Sequence, residues 1–211
     1  MYRKLFAAFG PQGWWPCQPV GRHSDGRLEI IVGAILTQNT SWANVEKAIA
    51  NLKSAGALSS PSRLKMISKR SLARLIRPAG YYNVKALRIK NFIDYLADHH
   101  DLSLDKLSRR KTAALRSELL SVSGIGPETC DSILLYAFKR PSFVVDAYTK
   151  RIFSRHDLFG EDAGYDEMKG IFTQNIPVDR KMYNEYHALI VRLGKELCRK
   201  SPKCGACPLA G

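Results

Sequence analysis

Two groups of residues in this chain have the types and spacing to do chemistry. The first begins with Gly124-Ile125-Gly126-Pro127-Glu128 and ends, some twenty residues on, with Val144-Val145-Asp146. Glycine at both ends of the tripeptide lets the backbone turn tightly and approach a ligand without a Cβ in the way. The N–H groups leading into a helix opened by Pro127 would then point outward. Such a turn can seat a phosphate, and it can equally be an ordinary corner between helices. Asp146 stands where a helix through Tyr148, Arg151 and Ile152 begins, so its carboxylate suits an N-cap. Beside a phosphate-gripping turn, the same carboxylate could face a sugar, stabilise developing oxocarbenium charge or orient an attacking water.

The second group is a cysteine tail. Three of the five cysteines, Cys198, Cys204 and Cys207, fall within the last fourteen residues. An odd count crowded at one end reads as a metal or cluster site rather than as a disulfide framework.

The elements that must position these groups read as helices throughout. Leu28 to Leu36, LEIIVGAIL, is apolar on nearly every side, as in a helix at the centre of a domain. Ile89, Phe92, Ile93 and Leu96 fall at i, i+3, i+4 and i+7, while Arg88, Lys90, Asn91 and Asp94 face away, which describes a surface helix with one buried stripe. That spacing returns at Cys130, Ile133, Leu134 and Ala137, and a similar one runs through Tyr183, His187, Ile190, Gly194 and Leu197. Breaks fall at Ser60-Pro61, Gly124-x-Gly126-Pro127 and Ile176-Pro177, with Pro61 and Pro127 placed as first helical residues. The run Phe143-Val144-Val145 is too isolated to build a sheet. The expected fold is all-α, with no internal repeat and no long linker.

Lys and Arg number 33 against 19 Asp and Glu, and the net charge of +14 makes a polyanion the expected partner. Charge alone does not separate DNA from RNA or from an acidic membrane. No uninterrupted apolar run approaches the roughly 20 residues that cross a bilayer, and the N-terminus lacks a secretory pattern, so an intracellular protein is expected.

The pairing of G-I-G-P-E-T with V-V-D-A-Y resembles the helix-hairpin-helix and Gly/Pro-Asp loop of the endonuclease III superfamily of DNA glycosylases. The similarity extends from about Gly10 to the C-terminus. It implies two helical lobes with the active site in the cleft between them: Leu28 to Lys139, ending in the hairpin, and 1–27 combined with 140–211. The partner would be double-stranded DNA containing a damaged base, flipped out because its glycosidic bond is inaccessible within the stack. Asp146 and Glu128 would be the catalytic residues, and Gly124, Ile125 and Gly126 would grip phosphate. Leu36-Thr37-Gln38-Asn39-Thr40 resembles the segment whose glutamine fills the gap left by the flipped base. This makes Gln38 the candidate wedge, although by residue type alone it is a polar helix-end residue. Bifunctional members carry a lysine two residues after the second glycine, where this chain has Glu128. A carboxylate cannot form a Schiff base. The resemblance therefore implies a monofunctional enzyme, with Lys139, Lys150 and Lys195 the residues that could support weak strand cleavage; a monomer is expected.

Gly10-Pro11-Gln12-Gly13-Trp14-Trp15-Pro16 places two indoles together, an arrangement that commonly serves packing. With the segment from Leu36 to Trp42, it resembles the type III 3-methyladenine glycosylases, in which a double-tryptophan segment lines the base pocket. Trp14, Trp15 and Trp42 are thereby candidates for that pocket, and Glu128 agrees with this branch. An N3- or N7-alkylated purine is a cation, which an indole face attracts by up to about 2 kcal/mol. Glu128 or Asp146 would add to that attraction, whereas neutral uracil or thymine gains nothing from either. No His lies within the matched motifs, and a cationic base departs as a neutral molecule without a strong general acid. Cys198-x5-Cys204-x2-Cys207 resembles the superfamily's iron–sulfur loop, with Arg199, Lys200 and Lys203 offering charge to DNA. A [4Fe–4S] cluster needs four ligands, and neither Cys17 nor Cys130 is an obvious fourth. Zinc on three cysteines lacks a nearby His. Two other functions compete: removal of a deaminated or oxidised base, and a DNA-binding module that has lost chemistry. The retention of Asp146, Gln38 and the aromatic segment argues against the latter.

Overall fold

The computed structural model describes residues 1–14, 25–160 and 162–210. Trp15 and Cys17 lie outside the described residues. Among those described, every regular element is helical. The chain divides into two compact units, 1–16 with 139–211, and 17–138. No described helix is long and apolar enough to cross a membrane.

Helix α1 (Tyr2–Phe9) opens the first unit. The second unit starts with α2 (Gly26–Leu36), capped by the Asp25 carboxylate, which accepts the Arg27 N–H at 3.0 Å. Every residue from Ile31 to Leu36 is buried, so α2 is the central helix that its continuous apolar run predicts. Around it follow α3 (Trp42–Ser54), α4 (Pro61–Met66), α5 (Lys69–Leu75), α6 (Tyr82–His100), α7 (Leu104–Ser108), α8 (Thr112–Ser121) and α9 (Pro127–Ser132). Pro61 and Pro127 occupy first helical positions, where the missing N–H has no intrahelical partner to lose.

Ile89, Phe92, Ile93 and Leu96 of α6 are fully buried, as their spacing predicts. The polar face differs from the expectation of a face turned to solvent. Arg88 donates to the Oε1 atom of Gln38, Lys90 to the carbonyls of Leu64 and Lys65, and Asn91 to that of Ser123 at 3.0 Å. Long polar side chains reach past their own helix, so a helical wheel places their Cα atoms correctly and misses their partners. Helix α9 passes into a π-helical turn, Ile133–Ala137, closed by the Phe138 N–H on the Ile133 carbonyl at 3.1 Å. All five residues of that turn are buried.

In the first unit, Phe143-Val144-Val145 is an irregular buried run rather than a strand. The Phe143 ring stacks on Phe172 at 4.3 Å and meets Tyr183 edge-on at 5.4 Å, anchoring the run inside α10 (Ala147–Ser154), α11 (Tyr165–Asn175) and α12 (Arg180–Glu196). Helices α10 and α12 pack closely because residue 194 is glycine: a Cβ there would lie 2.4 Å from Cδ1 of Tyr148. The Arg151 guanidinium of α10 donates to the carbonyls of Gly194 and Cys198, both at 2.8 Å, satisfying the end of α12. These contacts fix α10, whose first turn is capped by Asp146, against the C-terminal end of α12.

Candidate active site

Asp146 caps α10. Its Oδ1 atom accepts the Thr149 N–H at 2.7 Å and the Thr149 hydroxyl at 2.8 Å. Its Oδ2 atom lies 3.5 Å from Nε2 of His187 on α12, and the two side chains are only 12% and 7% exposed. Burial pushes the carboxyl up. The facing His187 imidazole and the two Thr149 donors outweigh it and hold Asp146 below the usual carboxylate range. The group is therefore an anion at neutral pH despite its enclosure. Trp14, on the same unit, sits with its ring 5.6 Å from the His187 ring at a 45° tilt. It also borders a cavity of about 280 Å³ together with Val191, Arg192 and Lys195.

His187 is a functional candidate that lay outside the sequence motifs. Its position in the stripe of α12 reads as core, and it is indeed buried, between Tyr183 and Ile190. The signal that could have exposed it is the single imidazole in an otherwise apolar and aromatic stripe, a polar group that costs free energy to bury without a partner.

The hairpin belongs to the other unit. Gly124 has φ +99°, and a Cβ on it would fall 2.2 Å from Cγ of Arg88. Gly126 differs: it has φ −86° and open space where a Cβ would go. Ile125 between them turns its side chain into the core, and its N–H bonds the Val122 carbonyl at 3.0 Å. No side chain caps the start of α9, where Glu128 stands exposed in the first turn.

Gln38, just past the end of α2, is tied to this hairpin. Its Nε2 atom donates to the Gly124 carbonyl at 3.0 Å and to Oγ1 of Thr129 at 2.9 Å, while its Oε1 atom accepts from Arg88. Two residues earlier, the Leu36 carbonyl accepts from the buried Lys85 ammonium at 2.8 Å, which also holds the Ala79 carbonyl at 2.7 Å. One ammonium thus places the loop of Gln38 beside that of Tyr81, a 73% exposed ring at φ +44°. Desolvation, then the charge of Arg88, lowers the Lys85 pKa to about 8. Trp42 begins α3, rests partly buried on the core of its unit and donates its indole N–H to Glu46 at 2.9 Å.

In the tail, Cys198 is buried, Cys204 exposed and Cys207 half-buried. The Cys198 sulfur accepts from Arg155 at 3.4 Å. Among the described residues, no three His, Cys, Asp or Glu side chains are gathered closely enough to hold a metal ion. These residues, three thiols set apart where a cubane needs four together, do not fit a [4Fe–4S] cluster as they stand.

The sequence pattern described as "HhH-GPD superfamily base excision DNA repair protein" matches residues 32–177, a span that includes Gln38, the hairpin and Asp146. The chain belongs to the HhH-GPD superfamily. A protein of Methanocaldococcus jannaschii named among the DNA repair glycosylases is 49% identical over 210 residues, covering 99% of this chain and 92% of its own length. Endonuclease III of Sulfolobus acidocaldarius is 29% identical over 178 residues, 84% of this chain and 77% of that protein. Among solved structures, the H. pylori 3-methyladenine DNA glycosylase MagIII, bound to 1,N6-ethenoadenine, superposes with a TM-score of 0.76 at 27% identity, covering 92% and 94% of the two chains. A trapped endonuclease III–DNA covalent intermediate gives 0.80 at 23% identity over 99% and 90%, a likeness of fold. As an HhH-GPD protein, the chain is a DNA glycosylase, an enzyme that hydrolyses the glycosidic bond.

Proposed function

We propose that this HhH-GPD protein is a monofunctional, monomeric glycosylase that hydrolyses the glycosidic bond of an alkylated purine, such as 3-methyladenine, flipped from double-stranded DNA. The observation that carries this reading is the enclosed carboxylate of Asp146, kept anionic by Thr149 and His187. When a cationic base leaves as a neutral molecule, positive charge passes to the sugar. A fixed anion in a low-dielectric enclosure stabilises that charge far more than water would. It can also orient the water that completes hydrolysis. Trp14 beside His187 supplies the indole face suited to a cationic base.

Glu128, exposed at the position where bifunctional members place an amine, supports hydrolysis without a Schiff base. The exposed Gly126 and the uncapped start of α9 suit close approach of a phosphate. Gln38 and Tyr81, each two residues past a carbonyl held by Lys85, are assigned to the gap left by the flipped base. Gln38 would then exchange its hairpin partners for DNA. The tail cysteines hold a cluster only in company with a fourth thiolate, and no step of the hydrolysis passes through them. The H. pylori MagIII likeness supports the choice of an alkylated purine.

Release of 3-methyladenine, uracil and mismatched thymine from single-lesion duplexes tests the reading, with wild-type protein and with Trp14→Ala. The expected order puts 3-methyladenine first, by tenfold for each roughly 1.4 kcal/mol that the indole contributes to the transition state. The Trp14→Ala protein loses that margin. Faster release of uracil or thymine by the wild type overturns the substrate assignment.

A further inference from the structure

We propose that His187 is a positioning residue for this reaction: its Nε2 atom, 3.5 Å from the second oxygen of Asp146, closes to a hydrogen bond when DNA is bound, so that the carboxylate is fixed at two points and aimed. The inference rests on the role given to Asp146 above. Thr149 fastens Oδ1 twice, through its N–H and its hydroxyl. With Oδ1 alone held, coupled rotation about the Cα–Cβ and Cβ–Cγ bonds can still displace Oδ2 while Oδ1 stays on its donors. His187 is the group that faces that other oxygen, at 3.5 Å.

Three further observations support the assignment. First, His187 lies in the apolar and aromatic stripe of α12, where its neighbours Tyr183, Ala188, Leu189 and Ile190 are buried. A leucine would fill this site without the desolvation cost of an imidazole. Second, the helix carrying His187 is locked to the helix carrying Asp146 by the Tyr148 ring over Gly194 and by Arg151 on the Gly194 and Cys198 carbonyls. The separation of the two groups is thus set by packed backbone. Third, the Trp14 ring lies 5.6 Å from the imidazole, centroid to centroid, at a 45° tilt. The ring that walls the proposed base pocket therefore also buttresses the residue that aims the carboxylate.

A neutral imidazole suffices for this role, because the task is donation of one N–H and the anionic charge of Asp146 must survive. The donor, not the ring or a positive charge, is what the reaction needs. His187→Gln places an amide N–H at about the same reach and carries no charge, whereas His187→Leu keeps bulk and loses the donor. The experiment measures single-turnover release of the base that the wild type excises fastest, together with affinity for the same duplex and the melting temperature of each variant.

Expected for His187→Leu is a rate lower by roughly 10- to 100-fold, the scale of an ångström's misplacement of a reacting group, in a protein still folded at the assay temperature and with duplex affinity retained. His187→Gln should recover most of the rate. A His187→Leu protein as fast as wild type overturns the proposal, as does a His187→Gln protein that melts and binds normally yet stays as slow as the leucine variant. Should His187→Leu fail to fold, the glutamine variant still decides, since full rate requires the donor alone. If the wild type releases no base from any lesion, it is the functional reading that fails. If Asp146→Asn is slow while His187→Leu is not, only the positioning role falls.

Discussion

The two glycines of the hairpin are interchangeable in the sequence, and the structure makes them respond in opposite ways to the same substitution. At Gly124, alanine would be forced into φ +99°, a conformation that costs an L-residue roughly 1–2 kcal/mol. Its Cβ would lie 2.2, 2.9 and 3.0 Å from Cγ, Cδ and Cβ of Arg88. The contact reaches to the root of the arginine, so the side chain must leave its rotamer and release Gln38. A hydrogen bond to a charged group contributes roughly 1.5–3 kcal/mol. Together these give a loss of about 3–5 kcal/mol, or roughly 10 °C in melting temperature for a protein of this size. Gly126 meets no atom within 4 Å and has φ −86°, so alanine there costs only the difference between two N-cap residues, about 1 kcal/mol or less. Its effect should fall on duplex affinity, where an added methyl group separates backbone from phosphate. Thermal melts of Gly124→Ala and Gly126→Ala in one buffer, followed by duplex titration, check both halves. A Gly124→Ala protein melting within a degree or two of wild type refutes the reasoning, and so does an equal loss from Gly126→Ala.

Borohydride should trap little or no wild-type protein on a lesion duplex, because Glu128 offers no amine; efficient trapping would show Lys139, Lys150, Lys195 or another amine acting as nucleophile. Acid should unfold the wild type more steeply than Asp146→Asn. The Asp146 carboxyl titrates below its unfolded value of about 3.9, so its contribution is complete above that pH and is lost as pH falls through the folded value. Parallel acid melts would remove that link. Anaerobic protein supplied with a fourth thiolate ligand should carry about four irons per chain, and a colourless, iron-free preparation rejects the cysteine tail as a cluster loop.

What the sequence made legible follows from what is local. The stripe Ile89, Phe92, Ile93, Leu96 and the N-cap at Asp146 depend on neighbours three or four residues away, and both are in place. The α2 run announced a buried helix because every face of it is apolar. Contacts across long separations were hidden. His187 reaches Asp146 from 41 residues away, Arg88 reaches Gln38 across 50, and Lys85 joins two loops from inside the core. In each case the residue type permits several environments and only the packed backbone selects one. The π-helical turn after α9 left no mark either, since five buried apolar residues in a row suit a buried helix of either pitch. The cysteine spacing was visible as a pattern, yet among the described residues no three ligand side chains come together as a metal site.

The central claim is that the charge of Asp146 drives excision. Asp146→Asn is the most direct test, because the amide oxygen can still accept from Thr149 and cap α10 while the negative charge is gone. Single-turnover release of 3-methyladenine should fall by at least about 100-fold, the scale of a lost transition-state electrostatic contact, in a protein that is still folded at the assay temperature and retains duplex affinity. A folded Asp146→Asn protein that excises the base at close to the wild-type rate contradicts the account.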